Sequence, residues 1–129
     1  MVLVDTSVWI DFFRSKETPQ VEKLKLAIST NQDIAICGVI LTEVLQGIRN
    51  NKEHDLVEEI FESLMYLEME KEIYLDSSNI YRTLRKEGVT IRKPIDCMIA
   101  AVALHNNIPL LHNDKDFYPI ETKFGLFAY

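Results

Sequence analysis

A chain of 129 residues, 47% hydrophobic and 26% charged, has the composition of an ordinary globular domain with enough apolar surface for one buried core. Its formal net charge of -6 counts against a protein that holds nucleic acid by bulk electrostatics alone, and Cys37 and Cys97 are too far apart to make a metal-type pair. No apolar run reaches the ~18 residues of a membrane span and the N-terminus lacks the basic region of a signal peptide, so the expected setting is a reduced cytoplasm, with residues 1–129 as a single domain and no membrane contact.

Val2, Leu3 and Val4 read as a short buried strand, followed at once by Asp5 and by two hydroxyl residues, Thr6 and Ser7, that suit a helix start. Residues 7–14 put Val8, Trp9, Phe12 and Phe13 on one broad apolar face, with Thr6 as the expected N-cap. Pro19 stands where a second helix should open, and Val21, Leu24, Ala27 and Ile28 keep helical spacing to about Asn31. Residues 34–37 form the second buried strand and Gly38 ends it. A third helix then runs to about Asn50, with Glu43 in its early turns among Ile40, Leu41, Val44, Leu45 and Ile48.

After a polar break at residues 50–52, a fourth helix over 54–65 should face inward through Leu56, Val57, Ile60, Phe61 and Leu64. Residues 67–69 suggest a short strand, and 72–86 a fifth helix through Ile73, Ser77, Ile80, Tyr81 and Leu84, stopped by Gly88. Arg92 and Lys93 lie in the following loop, where they read first as solvated charges and second as contacts for RNA phosphates. Pro94 then opens a sixth helix over 95–106, apolar almost all round and therefore central. Residues 109–112 read as a strand with proline at its first position, 113–117 as a turn and 124–128 as a final strand.

Strands alternating with helices imply parallel βαβ units, and right-handed crossovers put every strand's carboxyl end on one edge of the sheet. Ligand sites of open α/β sheets lie just beyond that edge. Asp5 follows the first strand, Glu43 sits about a turn into the helix after the second, Asp96 opens the sixth helix and Asp114 follows the strand at 109–112. Each acid alone has a local explanation, as a helix cap, a first-turn acid or a turn residue. Four of them at one edge would repel unless a cation neutralised them. Oxygen ligands alone suit Mg²⁺ or Mn²⁺, and two such ions about 4 Å apart serve in-line attack on a phosphodiester. Thr6 or Ser7 could hydrogen-bond Asp5 or a metal-bound water.

The residues that carry this pattern are Val4-Asp5-Thr6-Ser7-Val8-Trp9-Ile10, Leu41-Thr42-Glu43-Val44, Pro94-Ile95-Asp96-Cys97-Met98-Ile99-Ala100-Ala101 and Asn113-Asp114-Lys115-Asp116-Phe117. In order and spacing they resemble a PIN domain, and within that family a VapC-type toxin nuclease. The resemblance implies a three-layer α/β/α fold with a central, mostly parallel sheet. It also implies a Mg²⁺-dependent endoribonuclease (Mn²⁺ as the alternative) whose metal ligands and catalytic acids are Asp5, Glu43, Asp96 and Asp114. Asp116 would contribute through water. The family usually carries Thr or Ser two residues before its fourth acid; here His112 stands there, with a hydrogen-bonding ring in place of a hydroxyl. The partners implied are RNA, a small VapB-like antitoxin and a second copy in a homodimer. The antitoxin would bring an Arg to the acids and apolar anchors to the first helix near Trp9 and Ile10, or to the fourth near Phe61 and Met65. An RNA-processing PIN nuclease without an antitoxin and a non-catalytic protein-binding PIN module are the other readings.

Overall fold

Four short strands form one parallel sheet in the computed structural model, which describes residues 1–129. They are β1 (Val2–Val4), β2 (Ile34–Cys37), β3 (Met65–Leu67) and β4 (Leu110–Leu111), in the order β3-β2-β1-β4. Every pairing is parallel, with Leu3 opposite Ala35 on one side and Val4 opposite Leu111 on the other. β1, β2 and β4 are buried along their whole length, which is why their sequences are unbroken apolar runs and not alternations.

Helices flank the sheet: α1 (Thr6–Phe13), α2 (Pro19–Ser29), α3 (Gly38–Gln46), α4 (Asn51–Glu62), α5 (Lys71–Lys86), α6 (Pro94–His105) and α7 (Tyr118–Phe124). None is long and apolar enough to cross a membrane. α6 is central, as its composition requires: Cys97, Ile99, Ala100, Ala101, Val102 and Ala103 are all buried, and the small side chains let α5 lie close along it. α1 and α4 are joined by an aromatic cluster in which Trp9 meets Phe61 edge-on at 5.1 Å and stacks on Phe13 at 5.7 Å.

Several boundaries differ from the sequence expectation, each for a local reason. α1 begins at Thr6 with Asp5 as its N-cap, because the Asp5 carboxylate accepts the Ser7 N–H. α3 stops at Gln46 instead of near Asn50, and Asn50 instead caps α4 by accepting the Glu53 N–H. β3 comes two residues earlier than residues 67–69. Leu56 and Ile60, expected inside, are 62% and 44% exposed, so α4 buries only the narrow stripe of Val57 and Phe61. The expected strand at 124–128 reduces to a single bridge between Leu110 and Ala128. The chain before it forms α7, with a proline in its first turn and Gly125 as a left-handed cap at φ 72°.

The contrast within α4 gives a stability prediction. Phe61→Ala should cost about 3–5 kcal/mol in urea-unfolding free energy, because it hollows the cluster under Trp9. Leu56→Ala should change it by no more than ~0.5 kcal/mol, because that side chain leaves little core behind. Equal losses for the two variants would show that α4 packs through a different face.

Candidate metal centre

The four acids read from the sequence stand at the carboxyl edge of the sheet, each held by the element that delivers it. Asp5 leaves β1 with its N–H donated to the Leu111 carbonyl at 2.9 Å, so the ends of β1 and β4 are tied together. Its Oδ2 accepts the Ser7 N–H at 3.1 Å and the Ser7 hydroxyl. The same hydroxyl accepts the Asn113 N–H at 3.3 Å, which links the loop after β4 to the start of α1. Asp5 Oδ1 is buried and has no hydrogen-bond partner. Burial pushes the Asp5 carboxyl upward, against the pull of the Ser7 hydroxyl and amide.

Asp96 lies in the first turn of α6 and is 4% exposed. Its Oδ2 is likewise buried without a hydrogen-bond partner. Burial drives its carboxyl up to about 7; the Lys93 charge opposes the rise, and the charges of Asp5, Asp114 and Asp116 add to it. Glu43, half-buried on α3, accepts the Thr6 hydroxyl at 2.7 Å, a bond made available because Thr6 is inside the helix and not its cap. Asp114 caps the 3-10 turn Lys115–Phe117 by accepting the Asp116 N–H at 2.9 Å. Partial burial raises its carboxyl, yet the Lys93 ammonium and the Asp116 amide outweigh this and hold it below the usual carboxylate range. Carboxylate oxygens of Asp96, Asp114 and Asp116 lie within 4.8 Å of one another.

His112 is buried against the Phe117 ring at 4.7 Å. Its Nδ1 accepts the Asp114 N–H at 3.2 Å, and its Nε2 meets the Glu121 carboxylate. An Nδ1 that accepts leaves the ring proton on Nε2, so His112 donates to Glu121 while fixing the backbone at Asp114. Glu121 was not legible in the sequence, because α7 itself was not. Arg92 and Lys93 turn toward the acids: Arg92 Nε lies 3.3 Å from Asp116, and Lys93 Nζ lies 2.9 Å from Asp114 and 3.8 Å from Asp96. Both keep more than half of their side chains in solvent. Trp9, read from the sequence as part of the apolar face of the first helix, is 1% exposed and belongs to the core, whereas Ile10 is half-exposed.

Two buried carboxylate oxygens accept no hydrogen bond, and the Lys93 ammonium comes no nearer than 3.8 Å to one of them, so a proton or a further cation is called for. The surrounding ligand atoms are all carboxylate oxygens, the donor set of a hard divalent cation. The residues present therefore fit such an ion.

The PIN domain family profile matches residues 2–123 of this chain. The chain is 34% identical to Ribonuclease VapC11 of Mycobacterium tuberculosis over 119 residues, covering 91% of this chain and 89% of that one. It is 30% identical to Ribonuclease VapC1 of Methanocaldococcus jannaschii over 128 residues, 99% of this chain and 86% of that one. In fold it is similar to a chain of VapBC2 from Rickettsia felis bound to a promoter DNA fragment, with a TM-score of 0.79 at 21% identity, covering 100% of this chain and 98% of that one. A chain of VapBC-1 from nontypeable Haemophilus influenzae gives 0.76 at 24% identity, covering 100% and 97%.

The raised carboxyl of Asp96 predicts how the ion-free protein responds to pH. A carboxyl whose folded value is about 7, against 3.8 when free, binds its proton more tightly in the folded state. Stability should therefore be highest below about pH 4 as far as this group is concerned, and should fall as pH rises toward 7. Melting temperatures across this range in EDTA should decline with pH. Millimolar Mg²⁺ should recover most at neutral pH, and Asp96→Asn should flatten the profile. A profile unchanged in Asp96→Asn would count against this carboxyl as its source.

Proposed function

The chain belongs to the PIN domain family, and on that premise we propose that it is a VapC-type endoribonuclease, the toxin of a toxin–antitoxin pair, cutting RNA with a divalent cation. The observation that carries this reading is the pair of buried, unpartnered oxygens, Asp5 Oδ1 and Asp96 Oδ2, at the carboxyl edge of a parallel sheet. Asp5, Asp96 and Glu43 would hold the ion and Asp114 would complete the set, with Mg²⁺ the proposed ion and Mn²⁺ its alternative. When bound, the ion supplies Lewis acidity to the phosphate and lowers the pKa of an attacking water.

The protein's own contribution is fixed placement. Ser7 orients Asp5, Thr6 orients Glu43, and the Asp116 amide and His112 orient Asp114 from side chain and backbone. Asp116, whose carboxylate lies within 4.8 Å of those of Asp96 and Asp114, would act through a water. Arg92 and Lys93, with exposed side chains at the rim, would meet the RNA phosphates flanking the cut. Water oxygen bonds to phosphorus as the bond to the 3′ oxygen breaks, leaving a 3′-hydroxyl and a 5′-phosphate.

The proposed setting is the cytoplasm, with residues 1–129 acting as one PIN unit, paired in a homodimer and held silent by a small VapB-like antitoxin. An antitoxin Arg would pair with the acids in the ion's place. Its apolar anchors have two surfaces to choose from. One is the cavity of about 270 Å³ between α1 and α3, lined by Ile10, Phe13, Val44 and Ile48. The other is the exposed strip of Leu56, Ile60 and Met65.

Purified Asp5→Asn and Asp96→Asn should each cut total cellular RNA more than about 100-fold more slowly than wild type, and EDTA should stop cleavage. Near-wild-type cleavage by either folded variant would remove that acid from the catalytic set. Expression of the chain alone should arrest growth, and expression with the neighbouring small reading frame should restore it and yield a co-purified complex. Equal growth in both strains would leave the nuclease reading standing and remove the toxin.

A further inference from the structure

We infer that the cavity beside Glu43 receives one unpaired nucleobase of the RNA, next to the cut, with Tyr66 and Tyr74 as its stacking faces and Glu68 as the group that favours a base carrying an amino substituent. The inference rests on the nuclease reading and adds a specificity subsite to it.

The cavity measures about 410 Å³, the size of a small-ligand site, and it opens on the acid edge: Glu43 and Ile95, the residue before Asp96, are in its wall. Tyr66 on β3 and Tyr74 on α5 line it as well, and they are 54% and 47% exposed. The aromatic pairs of the chain gather around Trp9 and His112, and neither tyrosine belongs to them. A Cβ on Gly38 would stand 3.1 Å from the Tyr66 hydroxyl, so glycine at the start of α3 leaves room for the end of that ring. The ring thereby reaches from the edge strand β3 to the helix that carries Glu43. Exposed aromatic faces of this kind are what an unstacked base takes in exchange for its neighbours in the strand.

Charge decides between a base and a phosphate. The wall carries two carboxylates, Glu43 and Glu68, and no lysine or arginine, so it repels a phosphate. The cations stand elsewhere: Arg92 and Lys93 lie against Asp116 and Asp114, after β4. The order β3-β2-β1-β4 sets β4 on one flank of β1, which ends at Asp5, and β2, which leads into α3 and Glu43, on the other. An RNA strand laid across that edge would rest its backbone on the cations of one flank and put a base into the tyrosine cavity of the other. A paired base is held in its stack and cannot enter, so the subsite selects single-stranded RNA. Glu68 accepts hydrogen bonds and donates none; adenine, cytosine and guanine each bring it an amino group, and uracil does not. Gln46, in the same wall, donates and accepts alike and discriminates less.

The test maps cleavage ends in total cellular RNA with Mg²⁺ for wild type, Tyr66→Ala, Tyr74→Ala, Tyr66→Phe and Glu68→Gln. Wild-type cuts should fall in unpaired segments, with uracil depleted on the order of 10-fold at one position beside the cut. An oligonucleotide spanning a mapped cut should resist cleavage once annealed to its complement. The alanine variants lose half-exposed side chains, so their melting temperatures should stay near wild type. Their cleavage should fall on the order of 10-fold, and the base preference at that position should flatten. Tyr66→Phe keeps the ring and should keep the preference, whereas Glu68→Gln should admit uracil. A preference unchanged in either alanine variant, or a wild type indifferent to the bases on both sides of the cut, would overturn the inference while the nuclease reading stands. Conversion of a dimer to a monomer by either alanine variant, read by light scattering, would overturn it too and assign the tyrosines to a second copy of the chain. Wild type that cuts no RNA would overturn both.

Discussion

A carboxylate removed from water needs a partner, and the centre of this molecule is arranged around two, each with a buried oxygen that accepts no hydrogen bond within the chain. Asp5 and Asp96 come from elements that are themselves core: β1 is the inner strand between β2 and β4, and α6 is apolar almost all round. Neither acid can turn to solvent without disturbing that packing. The Ser7 and Thr6 hydroxyls, the Asp116 amide and the Lys93 ammonium satisfy the oxygens around them. What stays unsatisfied is one oxygen on each of Asp5 and Asp96. Folding thus concentrates the electrostatic cost where an external ion could relieve it, and on the proposed reading the same ion would supply the chemistry.

Much of the supporting shell does two jobs. Asp5 caps α1 through one carboxylate oxygen and leaves the other buried and unpartnered, the one proposed to meet the ion. Ser7 braces Asp5 and takes the Asn113 amide, so a single hydroxyl spans the junction of β1, α1 and the loop after β4. His112 replaces a hydroxyl by a ring but keeps the acceptor that fixes the Asp114 backbone, and its second nitrogen fastens the assembly to α7 through Glu121. A longer side chain therefore ties the fourth acid to a helix that a hydroxyl would not reach.

The acids were legible because each is announced by its immediate neighbours. An apolar triplet before Asp5, a proline two residues before Asp96 and a turn signature at Asp114 are local, and the parallel βαβ rule brings them to one edge. Features that depend on distant partners were not legible. Whether Leu56 faces in or out is decided by how far α4 leans on the Trp9 cluster, not by helical spacing. The terminal helix was hidden because Phe124 to Ala128 read as strand, although the cap at Gly125 and the proline at 119 were present. Lys93 read as a rim cation because nothing in its own segment shows that Asp114 will arrive beneath it.

The pairing of Leu3 with Leu110 has a further consequence, in time and not in space. The centre of the sheet closes only when residues more than a hundred positions apart meet, so loop closure must be met before the pairing is rewarded, and formation should be slow for the chain's size. During synthesis Asp5 emerges early and waits for Asp96 and Asp114, which come last. Nascent and prematurely ended chains therefore lack an assembled site. A translating cell would meet this protein first as an inert precursor, and the interval before closure is one in which an inhibitor made alongside it can find its target.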